Sequence, residues 1–268
     1  MSGTNAPQQD IQAFWNSRAP LAEGAGTADL IAKQLEMAAI GRFVRDGMRV
    51  LDVGCGNGIT AIDLAAHHAI DLVGFDFAPA MVEAARQRAA ATALKGRVEF
   101  LVADTLSIPE TLGRFNLIYT ERMIINLPDW PTQQAAIRRI TDLLADGAAY
   151  VMCENSQDGL DSINALRGAC GLGAIAPPWH NRYLRDIEVE NYAITGVELE
   201  CMEHFTSTYA FLSRVVNAWL SKNEGRDPSY DAPVNRLALE LPQIGQFGQT
   251  KLWVWRRGRK TAAQVRDT

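Results

Sequence analysis

Apolar positions along this 268-residue chain fall into two rhythms. Between Arg49 and Asn155, the short apolar runs RVLDVG, DLVGFDF, RVEFLVAD, FNLIYT and AAYVMCEN read as strands. They alternate with segments such as PAMVEAARQRAAATA and PTQQAAIRRITDLLA, whose apolar residues recur at helical spacing. Near-continuous apolar strands joined by helices predict an α/β fold with a mostly parallel sheet, because right-handed crossovers lay the helices over both of its faces. Outside this stretch the rhythm changes. QDIQAFWNSRAP reads as a short helix carrying Phe14 and Trp15 and broken at Pro20, and GTADLIAKQLEMAAIGRFV as a longer helix that Thr27 or Asp29 can cap. Toward the other end, DGLDSINALRGACGLGAIAPPWHNRYL reads as a helix followed by a Gly/Pro-rich loop, and STYAFLSRVVNAWLS as another apolar helix. QTKLWVWRR sets Leu252, Val254 and Arg256 against Trp253 and Trp255, the alternation of a strand returning to the sheet. The pattern divides the chain into a helical cap (1–46), a core (47–156), a continuation of the core with lid insertions (157–248), a final strand (249–258) and a tail (259–268).

Composition narrows the partners. A chain that is 47% hydrophobic and 21% charged, with net charge -5, is an ordinary globular protein without the basic excess that phosphate backbones attract, so nucleic acid is not expected. The polar start MSGTNAPQQDIQ has no apolar stretch of signal-peptide length, and no later run is long enough to span a bilayer. Cys55, Cys153, Cys170 and Cys201 form neither a CxxC pair nor a His/Cys cluster, so neither zinc nor a disulfide framework is expected. Reduced thiols and a cytoplasmic location follow as expectations. His67 and His68 are adjacent at a helix end rather than one turn apart, which suits capping and not metal binding.

The candidate chemistry sits in RVLDVGCGNGITAIDLA. Gly54, Gly56 and Gly58 follow the first strand at alternate positions, where glycine supplies unusual backbone angles and lets a ligand approach the main chain. The helix predicted to start near Asn57 aims its unpaired N–H groups at the same space. Phosphate binding is disfavoured: the spacing is GxGxG, neither GxGxxG nor GxxxxGK[ST], and Asp52 would repel a pyrophosphate while attracting an ammonium group. Asp76 ends the second strand, where an acid accepts ribose hydroxyls. Asp104 follows the third, within reach of an adenine amine. Ammonium, ribose and adenine partners thus occur in chain order.

These segments, VLDVGCGNG, GFDFAPAM, VADTLSIP and FNLIYTERMIINLPD, resemble the class I (Rossmann-like) S-adenosylmethionine-dependent methyltransferases, over roughly Arg49 to Glu154. FWNSRA and GTADLIAKQLE resemble the N-terminal caps of the bacterial small-molecule type. The resemblance implies a doubly wound seven-stranded sheet and S-adenosyl-L-methionine as cofactor. Asp52, Gly54, Cys55, Gly56 and Asn57 would line its methionine part, Asp76, Phe77 and Met81 its ribose and adenine, and Asp104 with Thr105 would close over the adenine. Glu121 would face the methyl-transfer site, with Trp15 in the pocket wall. No [ND]PPY motif follows the fourth strand, which disfavours nucleic-acid and protein amide acceptors and leaves an O or N atom of a small molecule. Glu121 and His180 are the candidate bases, with His204 behind them. Phe14, Trp179, Tyr183 and Tyr209 are candidate acceptor contacts, and Arg122, Arg182 and Arg214 candidate partners for an acidic group on the acceptor. A homodimer is compatible with an apolar lid. The competing readings are a protein that binds the cofactor without catalysis, an enzyme using it for another reaction, and an NAD-dependent oxidoreductase.

Overall fold

The computed structural model describes residues 8–259. Residues 1–7 of the expected cap, and the expected tail from residue 260 onward, lie outside them. Among the described residues seven strands form one sheet in the order β3-β2-β1-β4-β5-β7-β6. β1 (Arg49–Val53) pairs in parallel with β2 (Asp71–Asp76) and β4 (Phe115–Glu121), β3 (Arg97–Val102) with β2, and β5 (Leu144–Asn155) with β4. β7 (Thr250–Arg257) runs antiparallel between β5 and β6 (Val197–Glu203). The fold is therefore the expected doubly wound, mostly parallel sheet, with one antiparallel strand. Chain order reverses between β1 and β4, which opens a crevice at their carboxyl ends.

Period-2 alternation divides the apolar side chains between two layers. Leu51, Val53, Ile118 and Tyr150 pack with Ile137 and Ile140 of helix α5 (Trp130–Asp142) and with Trp253 and Trp255. On the other face Val50, Leu72 and Leu117 pack with Ile40 of α2 (Leu30–Gly41), Ile62 of α3 (Ile59–His67) and Val82 of α4 (Pro79–Ala90). α2 is thus part of the layer covering the sheet. α1 (Gln8–Arg18) lies across the start of α4, where Gln12 Nε2 donates to the Phe77 carbonyl at 2.6 Å and Asn16 Oδ1 accepts from the Ala80 N–H at 3.0 Å.

β6 was not marked by the apolar pattern. It is an edge strand whose Glu198, Glu200 and Glu203 leave little apolar signal, and such charges protect an open edge from further pairing. The expected apolar helix after it spans 207–223, but Phe211–Asn217 within it is π-helical. That helix is pinned to the start of α2. Asp29 caps α2 by accepting from the Ala32 N–H at 3.0 Å, and also accepts from the Tyr209 hydroxyl and from Arg214 Nη2 at 2.7 Å.

The returning strand carries measurable stability. Replacing the fully buried Trp253 with alanine should lower the unfolding free energy by about 3 to 5 kcal/mol. Trp219→Ala, at a side chain 46% exposed, should change it by no more than about 0.5 kcal/mol in the same urea titrations. Equal losses would show that the Trp253 face is not core.

Candidate active site

The crevice holds a cavity of about 370 Å³, walled by the carboxyl ends of β1, β2 and β4 and roofed by Ile11 and Trp15 of α1 and by Gly26 and Thr27. The glycine loop forms its floor. Gly54, Gly56 and Gly58 have φ of +77°, +51° and +75°, the left-handed region that side chains disfavour. At Gly54 space forbids a side chain as well, since a Cβ would lie 2.2 Å from Met123 Cγ. Gly56 has open space beside it, and its N–H donates to Asp76 Oδ2 at 3.0 Å, fastening the loop to the end of β2. α3 begins at Ile59, two residues later than expected, with Gly58 as its N-cap.

Two buried acids face the cavity. Asp52 accepts from the Tyr119 hydroxyl at 2.7 Å, yet burial pushes its pKa up to about 7 against that hydrogen bond. Asp76 accepts from the Ala78 and Gly56 N–H groups, and burial still raises it to about 6. Asp104 caps the turn Thr105–Ser107, accepting from the Leu106 N–H at 2.8 Å. Trp15, Asp52, Gly54, Cys55, Gly56, Asn57, Asp76, Phe77, Met81, Asp104, Thr105 and Glu121, the cofactor residues expected from the sequence, all line this one cavity, as does Arg122.

The other expected residues are placed elsewhere. Glu121 is in the wall, but its carboxylate is engaged by Lys33 Nζ at 2.6 Å and by the Thr60 hydroxyl at 2.6 Å. Burial works to raise its pKa, but Lys33 and Arg122 outweigh it and hold Glu121 below the usual carboxylate range. It is a charge anchor, and the base role read from the sequence does not suit it. His180 does not line the cavity. Its ring packs 4.5 Å from Phe14, 5.2 Å from Trp179 and 5.7 Å from Trp15, a cluster in which only Trp15 reaches the wall. Burial and the nearby Arg18 lower its pKa. Tyr183 is buried in the core, its hydroxyl accepting from Gln249 Nε2 at 3.1 Å, and Tyr209 is held by Asp29.

Sequence reasoning missed Lys33, Glu36 and Glu154. Lys33 and Glu36 lie one turn apart on α2, both turned toward the end of β4, and their only sequence signal was two charges in an apolar helix. Glu154, fully buried, accepts from the Met123 N–H at 3.1 Å, from Ile124 at 3.0 Å and from Ile125 at 3.4 Å. It thereby fixes the loop that seats Met123 over Gly54. Among the described residues no group of three His, Cys, Asp or Glu side chains is arranged to hold a metal, and no helix is long and apolar enough to cross a membrane.

Residues 50–147 match the family model described as a methyltransferase domain. Over these residues the chain is similar to the methyltransferase-domain family, in keeping with its resemblance to the class I S-adenosylmethionine-dependent methyltransferases. The chain is similar to an O-methyltransferase of Pyrenophora dematioidea, 28% identical over 123 residues, which cover 46% of this chain and 45% of that protein. It is also similar to the ajmaline N-methyltransferase of Rauvolfia serpentina, 34% identical over 103 residues, covering 38% of this chain and 34% of that one. The chain thus spans less than half the length of these relatives. Among solved structures, the [4+2]-cyclase SpnF shares the fold, with a TM-score of 0.57, 20% identity and coverage of 84% of this chain and 80% of that one.

The methyltransferase cofactor is S-adenosylmethionine, and the site's chemistry fits it. Asp52 and Asp76 are buried acids that a cationic or hydroxyl-bearing ligand would satisfy, and Phe77, Met81 and Leu106 offer apolar surface for a flat base. A pyrophosphate would meet Asp52 and Asp76 instead.

The raised pKa values set a pH dependence. In the unfolded chain both aspartates titrate near 3.8, whereas in the folded protein they hold protons up to about 7 and 6. Between these values the folded state binds more protons, so stability from these groups is lost as pH rises, by up to about 1.4 kcal/mol per unit for each group. Asp52→Asn removes one of them. Its melting temperature relative to wild type should climb between pH 4 and pH 7, and a constant difference across that window would contradict a protonated, buried Asp52.

Proposed function

We propose that this methyltransferase moves a methyl group from S-adenosylmethionine to an O or N atom of a small-molecule acceptor. The observation that carries this reading is the convergence of the glycine loop, Asp52, Asp76 and Asp104 on one roofed cavity of about 370 Å³. Similarity to an O-methyltransferase and an N-methyltransferase supports both kinds of acceptor atom. The acidic net charge supports a small molecule over nucleic acid. The free thiols, two of them exposed, support a reducing, cytoplasmic setting.

When bound, the cofactor supplies a methyl group on a positively charged sulfur, and its transfer is an in-line displacement governed by alignment. In this reading Asp52, steadied by Tyr119, attracts the ammonium group of the methionine part, and Asp76 accepts the ribose hydroxyls. Met81, Leu106 and Met123 clasp the adenine, with Asp104 and Thr105 at its edge. Ile11 and Trp15 exclude water from above, which protects the transfer from hydrolysis. Glu121 and Lys33 neutralise one another in the wall, so neither takes up the acceptor's proton. The site therefore suits nucleophiles that need no base, such as a neutral amine or a hydroxyl acidic enough to arrive ionised.

Calorimetric titration of the purified protein with S-adenosylmethionine, S-adenosylhomocysteine and NAD tests the reading, followed by mass spectrometry of acceptor mixtures for a gained methyl group. Binding of the first two alone, with methylated product, is expected. Binding of NAD instead would overturn it. Asp76→Ala should weaken S-adenosylhomocysteine binding by about 1.5 to 3 kcal/mol, the range for hydrogen bonds to a charged group. An unchanged affinity would remove Asp76 from the ribose site.

A further inference from the structure

The sequence offers Arg122, Arg182 and Arg214 as partners for an acidic group on the acceptor, and the structure separates them. Arg182 spends its guanidinium on Gln133 Oε1 at 2.8 Å and Glu188 Oε1 at 2.6 Å, outside the cavity wall. Arg214 is taken by Asp29 and by the Ser213 hydroxyl, each at 2.7 Å. The cavity wall holds Lys33 and Arg122 as its cations, and Lys33 is consumed by Glu121 and Thr60. Arg122 has donors to spare. Its Nη1 reaches the Gly26 carbonyl only at 3.5 Å, and its buried Nε, 3.2 Å from Glu36 Oε2, makes no hydrogen bond with it.

Two further features set this residue apart. Arg122 has φ of +53°, a left-handed backbone that residues with a side chain disfavour and that recurs at functional sites. The conformation is imposed from both sides: the Arg122 N–H donates to the Cys153 carbonyl at 2.8 Å, and Glu154 grips the N–H groups of Met123 to Ile125. Burial, reinforced by the neighbouring Glu121, raises the Glu36 pKa against the pull of Arg122 and Lys33, which weakens the pairing of Glu36 with Arg122. With Lys33 spent on Glu121 and Arg214 on Asp29, Arg122 is the cation of the cavity wall with donors to spare: its Nε lies 3.2 Å from Glu36 Oε2, and its Nη1 reaches the Gly26 carbonyl only at 3.5 Å.

We propose that Arg122 binds a carboxylate on the acceptor and is the residue by which this site selects acidic acceptors over neutral ones of the same shape. The inference rests on the methyl-transfer reading. A guanidinium fork matches a carboxylate in two parallel hydrogen bonds, which a lysine at the same place cannot reproduce.

The test loads the protein with S-adenosylhomocysteine and compares hydroxy- and amino-substituted benzoates with the matching benzamides by ligand-observed NMR. The wild-type protein should hold the benzoates at least about tenfold more tightly than the benzamides. Arg122→Gly, which relaxes the left-handed backbone while removing the partner of Glu36, should still fold by thermal melting and lose that preference. Arg122→Lys should keep only part of it. In both variants S-adenosylhomocysteine affinity should stay within about twofold of wild type. Equal retention of acids and amides by the wild-type protein, or retention of neither, overturns the proposal. So does a parallel loss of S-adenosylhomocysteine affinity in Arg122→Gly, since the fork would then serve the cofactor's own carboxylate. Failure of the wild-type protein to bind S-adenosylhomocysteine at all would instead sink the methyl-transfer reading.

Discussion

The ion pair between Lys33 and Glu121, 2.6 Å apart and almost shut off from solvent, is the constraint on which the cavity depends. A carboxylate at the end of β4 cannot stay ionised in such a place without a counter-charge, which Lys33 of α2 supplies in contact and Arg122 reinforces. Thr60 of α3 completes the contact by donating to the same carboxylate. Three elements remote in sequence are thereby drawn to one point, and the segment before α2, with Gly26 and Thr27, is brought over the crevice. Breaking a buried pair by deleting one partner typically costs about 3 to 5 kcal/mol, because the other charge is left unpaired. The pair ties the first turn of α2 to the end of β4.

The rest of the site follows a similar economy. Asp52, Asp76 and Glu154 are acids held in apolar surroundings, each given enough hydrogen bonds to be tolerated and too few to be comfortable as anions. Asp76 fixes the glycine loop through the Gly56 N–H, and Glu154 fixes the loop after β4 through three N–H groups. The two loops then meet where Met123 packs against Gly54, in a space no side chain at 54 would leave free. Burial raises the pKa of each acid, and at Asp52 and Asp76, which line the cavity, a ligand bearing a cation and hydroxyl groups would offset it.

Only part of this is general to the fold. The same sheet carries a [4+2]-cyclase, so chemistry lies in what closes the crevice and not in the sheet beneath it. Here the closing residues come from α1, from the turn before α2 and from the end of β4. The aromatic cluster of Phe14, Trp15, Trp179 and His180 ties α1 to the Pro-rich loop, so the roof is braced from the C-terminal half of the chain.

The sequence by itself determined the parallel strands, their helical crossovers and the glycine loop with the acids at the strand ends beside it. Those features are local: a buried strand is a short apolar run, a left-handed turn needs its glycine, and an acid at a strand end sits beside the turn that follows it. β6 escaped the apolar pattern because an edge strand with one solvated side and several glutamates buries too little to be marked. Tertiary structure decided the acceptor side, where every contact joins residues far apart in the chain. It turned Glu121 from an expected base into a charge anchor, left His180 behind Trp15 and Tyr183 in the core, and brought in Lys33, Glu36 and Glu154. The roles of such groups depend on which charges and dipoles the fold places within a few ångströms, and that distance is not a property of any stretch of sequence.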